Sequence, residues 1–273
     1  PIFINADSYF LSLISPLIDK GNNAYYQSGT PDLTGITTDI TGRPRIHGDA
    51  VDIGAYEYQG SFTSVAPDVN GILYVNRNIG GEGGDGSSWT NALAKLCDAL
   101  KGSEALNYVT PGTVKQIWVA KGTYYSIHKS AEVDSNGDFT TERDNAFSLV
   151  KDVKLYGGFN GTETGVEQRD WINNPSILSG DFNGNDDMSN PVTMKENAYH
   201  VVISAGEMGS ALIDGFTITG GYADYNKFVI VNGIEMYSAG GAGLYVKSSS
   251  PIINNLIITQ NASTYRGGGM LLV

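Results

Sequence analysis

A short internal repeat near the end of the chain constrains the fold more than any other feature. Gly241-Ala242-Gly243-Leu244-Tyr245-Val246 is echoed about 26 residues later by Gly267-Gly268-Gly269-Met270-Leu271-Leu272. Between them, Pro251-Ile252-Ile253-Asn254-Asn255-Leu256-Ile257-Ile258-Thr259 echoes Leu212-Ile213-Asp214-Gly215-Phe216-Thr217-Ile218-Thr219. Each unit is a β-branched run, a Gly or Asn turn, and a second short run. Such a unit cannot bury its apolar face alone, so the repeat predicts a solenoid in which each coil covers the next. Composition agrees: 35 of the 273 residues are Gly, without a Gly-X-Y period, and 16 are Tyr. Gly takes positive φ at tight turns without steric cost, while Tyr, Thr, Ile and Val favour strands.

The chain carries 17 Lys and Arg against 29 Asp and Glu, a formal net charge of −12, and no basic cluster. A surface that follows a phosphate backbone needs concentrated positive charge, so nucleic acid is not an expected partner. Acidity scattered through turns keeps a large surface soluble, and it can also hold hard cations. Cys97 is the single cysteine, which rules out an intrachain disulfide; among Leu93, Leu96 and Leu100 it reads as a small core residue. No apolar run of about eighteen residues offers a transmembrane segment, and no signal peptide opens the chain. A start at Pro1, without Met, reads as a mature or excised fragment.

Residues 1–58 read as a loop-rich closing segment, beginning with a short strand at Pro1-Ile2-Phe3-Ile4. Residues 59–71 read as a linker by their turn formers, and residues 72–273 as the solenoid. Leu93, Leu96, Cys97 and Leu100 recur at helical spacing, which predicts a short amphipathic helix over 91–101. Laid across the first coil, it would cover an open core and unpaired strand edges. Strands are expected at Gln116–Ala120, Val153–Gly157, Ile177–Ser179 and His200–Ser204, followed by the repeats. Loops 126–146, 181–198 and 222–239 interrupt the spacing and are expected to project as a binding face. The apolar run that ends at Val273 calls for a neighbour or further sequence to cover it.

Residues 73–273 resemble the pectin-lyase-like right-handed parallel β-helices of large bacterial surface and secreted proteins. The resemblance runs through Tyr74-Val75-Asn76, Gly84-Asp85-Gly86-Ser87-Ser88-Trp89 and Ile117-Trp118-Val119-Ala120-Lys121-Gly122-Thr123-Tyr124. It continues in Leu155-Tyr156-Gly157-Gly158-Phe159-Asn160-Gly161-Thr162-Glu163-Thr164, Arg169-Asp170-Trp171, Ile177-Leu178-Ser179-Gly180-Asp181 and Asp214-Gly215-Phe216-Thr217-Ile218-Thr219-Gly220-Gly221. Ser15-Pro16-Leu17-Ile18-Asp19-Lys20-Gly21-Asn22 and Asp52-Ile53-Gly54-Ala55-Tyr56-Glu57 resemble the segment that closes such a β-helix, so this chain has tail before head. A junction between tandem units fits that order; the alternative is an excised or permuted unit that assembles head-to-tail into a fibre.

Two loops suggest calcium. Asp134-Ser135-Asn136-Gly137-Asp138 and Asp181-Phe182-Asn183-Gly184-Asn185-Asp186-Asp187 place side-chain oxygens at alternate positions, as the opening of a calcium loop does. The expected ligands are Asp134, Asn136 and Asp138 in the first, and Asp181, Asn183, Asn185 and Asp187 in the second. Neither loop is an EF-hand, because Asn145 and Val192 stand at the twelfth position. Ordinary Asx turns at loop tips are the alternative reading.

The resembled fold also carries polysaccharide lyases and glycoside hydrolases. Inverting hydrolysis needs two carboxyl groups roughly 6.5–9.5 Å apart, and Asp186-Asp187 is the one adjacent acidic pair on a suitable loop. A lyase needs a base, for which Arg143 and Arg169 qualify only by residue type. His47, His128 and His200 are too dispersed to form a metal-ligand motif, and His200 reads as a coil residue. The Gly80–Gly86 loop lacks a following Lys-Ser/Thr, so it is not a phosphate cradle. Tyr124, Tyr125, Tyr222, Tyr225, Tyr237 and Tyr265 lie in or beside loops, where aromatic faces can stack on sugars or on a protein.

The expected whole is an all-β right-handed parallel β-helix with a short N-terminal capping helix and a loop-rich N-terminal segment. The expected role is a non-catalytic structural or adhesive module of a bacterial surface protein, with a polysaccharide lyase or glycoside hydrolase as the alternative. Expected partners are other copies or adjacent repeats, surface glycans, and host or cell-surface proteins. A cluster of three or more Asp, Arg or His side chains on one outward face would favour the enzyme.

Overall fold

The computed structural model describes residues 11, 15, 17–59, 64–81, 83–131, 134–136, 138 and 140–273. The strand expected at Pro1–Ile4 lies outside the described residues. The chain forms two compact units, residues 1–62 and 63–273. No helix among the described residues is long and apolar enough to cross a membrane.

The first unit is loop-rich; its one described helix is the single turn α1 (Ala24–Gln27). Loops leave backbone N–H groups without ladder partners, and here buried carboxylates accept them. Asp52 accepts from Asp19 N at 2.7 Å and Tyr58 N at 2.6 Å. Asp39 accepts from Thr41 N, Arg43 N and Glu57 N. Glu57 accepts from His47 N, Asp52 N and, at 2.8 Å, from Arg45 Nη1. Gly21 sits where a Cβ would lie 2.5 Å from Val51 O, so the backbones at 21 and 51 can touch only because it is Gly.

The second unit is mostly β, with parallel sheets and no closed barrel among the described residues. It opens with β1 (Ile72–Val75) and α2 (Leu96–Val109). Next come β2 (Gln116–Ala120), β3 (Gly122–Tyr125) and β4 (Phe147–Ser148). The same order returns as β5 (Lys154–Phe159), β6 (Ser176–Ser179) and β7 (Val202–Ala205). A third round is β8 (Leu212–Asp214) and β9 (Phe216–Thr219), then β10 (Tyr222–Ala223), the pair β11 (Phe228–Val231) and β12 (Ile234–Tyr237), and β13 (Leu244–Lys247). The last is β14 (Ile252–Asn254), β15 (Ile257–Ile258), β16 (Ala262–Ser263) and β17 (Met270–Leu272). The principal sheets are β1-β2-β5-β8-β14, β3-β6-β9-β15 and β4-β7-β13-β17, so the chain visits three sheets in one fixed order. All their pairings are parallel; β11–β12 is antiparallel.

The register stacks like on like. Leu73, Ile117, Leu155, Ile213 and Ile253 are successive partners in the first sheet. Tyr124, Leu178, Ile218 and Ile258 align in the second, and Phe147, Val202, Leu244 and Met270 in the third. All belong to or pack against one apolar core. Corners between runs need positive φ, supplied by Gly215 (φ 81) and, one coil on, Asn255 (φ 48).

The helix differs from the sequence expectation. It runs over 96–109, not 91–101, because Leu93 is extended: its N–H donates to Tyr74 O, and its carbonyl accepts from Asn76 N. Residues 89–91 form a separate 3-10 turn capped by Ser88. Leu93, Leu96, Cys97 and Leu100 are nevertheless all buried together. The helix touches β1, β2, β3 and β4, elements of all three sheets. Part of the segment read as a linker is also fixed to this unit: Val65 packs against Gly102, and Ala66 N donates to Asp85 O.

The inserted loops do more than project. The β11–β12 hairpin buries Val229, Val231 and Met236 with Ile203, Ala205 and Tyr245, forming a second apolar cluster on the third sheet. Outside the first sheet, Trp118 stacks on Phe159 at 4.8 Å, with Trp89 held by Nε1–H to Glu163 O at 2.8 Å.

Candidate metal centre

The loop between β6 and β7 leaves the coil at Gly180 and returns at Ala198, whose N–H donates to Gly180 O at 2.9 Å. The 3-10 turn Pro191–Met194 shapes its return; Asn190 caps it, and buried Met194 anchors it. This closure brings Asp181, Asp186 and Glu196 together, with one oxygen from each lying within 4.8 Å of the others. Asp181 Oδ1 accepts from Gly184 N at 2.7 Å, which tightens the outgoing turn.

Asn197 completes the group. It is fully buried, and its Nδ2 donates to Asp186 Oδ2 at 2.8 Å while its main-chain carbonyl accepts from Arg143 Nε at 2.7 Å. Asp186 Oδ1, Glu196 Oε1 and Asn197 Oδ1 are buried with no hydrogen-bond partner among the described residues. Burial raises the Asp186 carboxyl above its ordinary range; the Asn197 hydrogen bond opposes this, and the charges of Asp181 and Glu196 push it further up. Neighbouring cations do not balance the charge. Lys195 and Arg143 both pair with Asp224, Arg143 at 2.8 Å, and Lys227 pairs with Asp144 at 2.7 Å.

Of the two carboxylates expected to ligate here, Asp181 belongs to the group and Asp187 does not. Asn183 Oδ1 accepts from Asn185 N, and both side chains are exposed. Asp187 turns outward, accepting from Ser189 N at 2.9 Å and Ser189 Oγ at 2.7 Å. Alternate spacing therefore formed Asx turns, while the convergent oxygens came from Asp186 and from Glu196 across the loop. In the first loop Asp134 Oδ1 accepts from Asn136 N at 2.8 Å and Asp138 N at 3.1 Å, again an Asx turn; Gly137 is outside the described residues.

A second group, Cys97, Asp98 and His128, satisfies itself. His128 Nε2 lies 2.7 Å from Asp98 Oδ1, and the Cys97 thiol approaches that oxygen at 3.9 Å. Burial pushes the Cys97 thiol up to about 11, far from the thiolate a nucleophile needs.

The two arginines are committed. Besides Asn197 and Asp224, Arg143 reaches Tyr222 O and lies 4.1 Å over the Tyr199 ring. Arg169 pairs with Asp214. Among the tyrosines, Tyr124 and Tyr222 are buried; Tyr124 donates its hydroxyl to Ala120 O. Tyr125, Tyr225 and Tyr265 are exposed, and Tyr265 meets Tyr237 edge-on at 5.9 Å. Compared with known protein families, curated proteins and solved structures, the chain matches none.

Proposed function

We propose that residues 72–273 belong to a right-handed parallel β-helix of the pectin-lyase-like kind and serve as a rigid, non-catalytic module on a bacterial surface. The observation that carries this reading is the set of three in-register ladders, led by Leu73-Ile117-Leu155-Ile213-Ile253. A chain circulating through three parallel sheets buries its interior continuously and resists bending along the stack. The right hand follows from the strong preference of parallel crossovers. Residues 11–57 would close a preceding module, with modules or copies repeated in series. Exposed Tyr225 and Tyr265, the latter 4.7 Å under the Arg266 guanidinium, offer stacking surfaces for glycans or surface proteins. Weak contacts of this kind gain strength with copy number.

One observation favours the polysaccharide-active alternative: Asp181, Asp186 and Glu196 converge on one loop. Against it, the guanidinium of Arg143 beside them is held by Asn197 O, Tyr222 O and Asp224. The test is incubation of the full chain with polygalacturonate and neutral plant glycans. Glycan retention without new reducing ends or unsaturated uronates supports the module; turnover of either polymer overturns it in favour of the enzyme.

A further inference from the structure

We propose that Asp181, Asp186, Glu196 and the side-chain carbonyl of Asn197 bind one calcium ion that locks the 181–197 loop onto its coil. The separation of the carboxylate oxygens, within 4.8 Å of one another, suits a shared cation. Calcium–oxygen distances of about 2.3–2.6 Å allow two ligands of one ion to stand up to about 5 Å apart. Without an ion, three carboxylates at that distance repel one another. Protein cations do not relieve the repulsion, since Lys195 and Arg143 are directed to Asp224.

The second observation concerns the unmatched oxygens. Buried acceptors are normally paired, and each one left unpaired carries the full penalty of its lost hydration. Three occur here within one short loop, on Asp186, Glu196 and the fully buried Asn197. Asn197 extends its amide into the group, since its Nδ2 touches Asp186. One cation would satisfy all three oxygens at once. The donor set is oxygen only, which suits a hard ion and disfavours zinc or copper. Its members come from a loop, not from rigid strands or helices, and calcium's flexible coordination suits such a setting better than the strict octahedron of magnesium. This site does not depend on the module reading, because a structural ion serves a scaffold and an enzyme equally.

The experiment is calorimetric titration of the EDTA-stripped, dialysed full chain with calcium chloride at neutral pH, with thermal melts in calcium and in EDTA. The expected result is a single saturable site and a higher melting temperature in calcium. Asp186→Asn and Glu196→Gln should each weaken binding by about tenfold or more, and Asp187→Asn should leave it unchanged. Absence of binding heat, together with identical melts of the wild-type chain in calcium and EDTA, overturns the proposal whether or not the variants fold. So does binding lost in Asp187→Asn but kept in Asp186→Asn. Equal binding and stabilisation by magnesium would overturn the assignment to calcium.

Discussion

Arg169 Nη2 lies 2.7 Å from Asp214 Oδ2, joining the segment after β5 to the end of β8 on the next coil, with both side chains largely buried. Arg169 Nη1 also reaches Gly157 O and Asp214 O, and its guanidinium is 5.0 Å from the rings of Tyr156 and Trp171. Truncating one partner of such a pair strands the other charge. Arg169→Ala is expected to lower stability by about 3 kcal/mol in urea unfolding followed by circular dichroism. Arg169→Lys keeps the charge but not the forked contacts and should fall between. A change under about 0.5 kcal/mol in Arg169→Ala would mean that the coils do not rely on this pair.

Coil stacking also sets the tolerance for side chains within the strands. A Cβ on Gly157 would stand 2.4 Å from Gly215 O and 3.0 Å from Ser176 Cβ, so it meets backbone that cannot swing away. Gly157→Ala should cost about 2–3 kcal/mol, near the upper end for an overpacked site. Gly184, at φ +72 with open space around it, should lose only about 1 kcal/mol as Ala, from backbone strain alone. Comparing the two midpoints in urea separates stacking from turn strain.

Much of the ladder was legible because stacking and sequence repetition have the same cause. The echo between Gly241–Val246 and Gly267–Leu272 is the register Leu244↔Met270, and Gln116–Ala120 is β2 as read. The helix boundary was not legible: burial of Leu93, Leu96, Cys97 and Leu100 is met equally by a helix and by an extended Leu93 leading into one. The β11–β12 hairpin left a signal, Asn232-Gly233 between two apolar runs, at φ 51 and 75. The acidic group left little. Asp181 stood in the loop motif, but Glu196 reaches it only because the 3-10 turn folds the loop back, and no fixed spacing encodes that closure.

Cys97 should behave as a core residue throughout. Its thiol is buried between helix and coil and is pushed up to about 11, so little thiolate forms at neutral pH. A disulfide-exchange reagent should leave the native protein unlabelled and modify one thiol per chain in denaturant. Rapid labelling of the native chain would show that α2 opens locally, contrary to its packing on the first coil.

Acid should weaken the fold through His200. Burial lowers its imidazole from 6.5 to about 4, opposed by the bond from Nδ1 to Gly241 O. Because the folded value is depressed, the unfolded chain takes up the proton first as pH falls. The contribution of neutral His200 is therefore complete above about pH 6.5 and is lost as pH falls toward about 4. The shift corresponds to about 3 kcal/mol over that window. His200→Asn places an amide N–H where Nδ1 stands, so it can still donate to Gly241 O but does not titrate. Its urea midpoint should fall less than that of the wild type between those pH values, with the carboxylate contributions common to both proteins cancelling in the difference. Parallel slopes would show that His200 is protonated, or reaches water, in the folded chain.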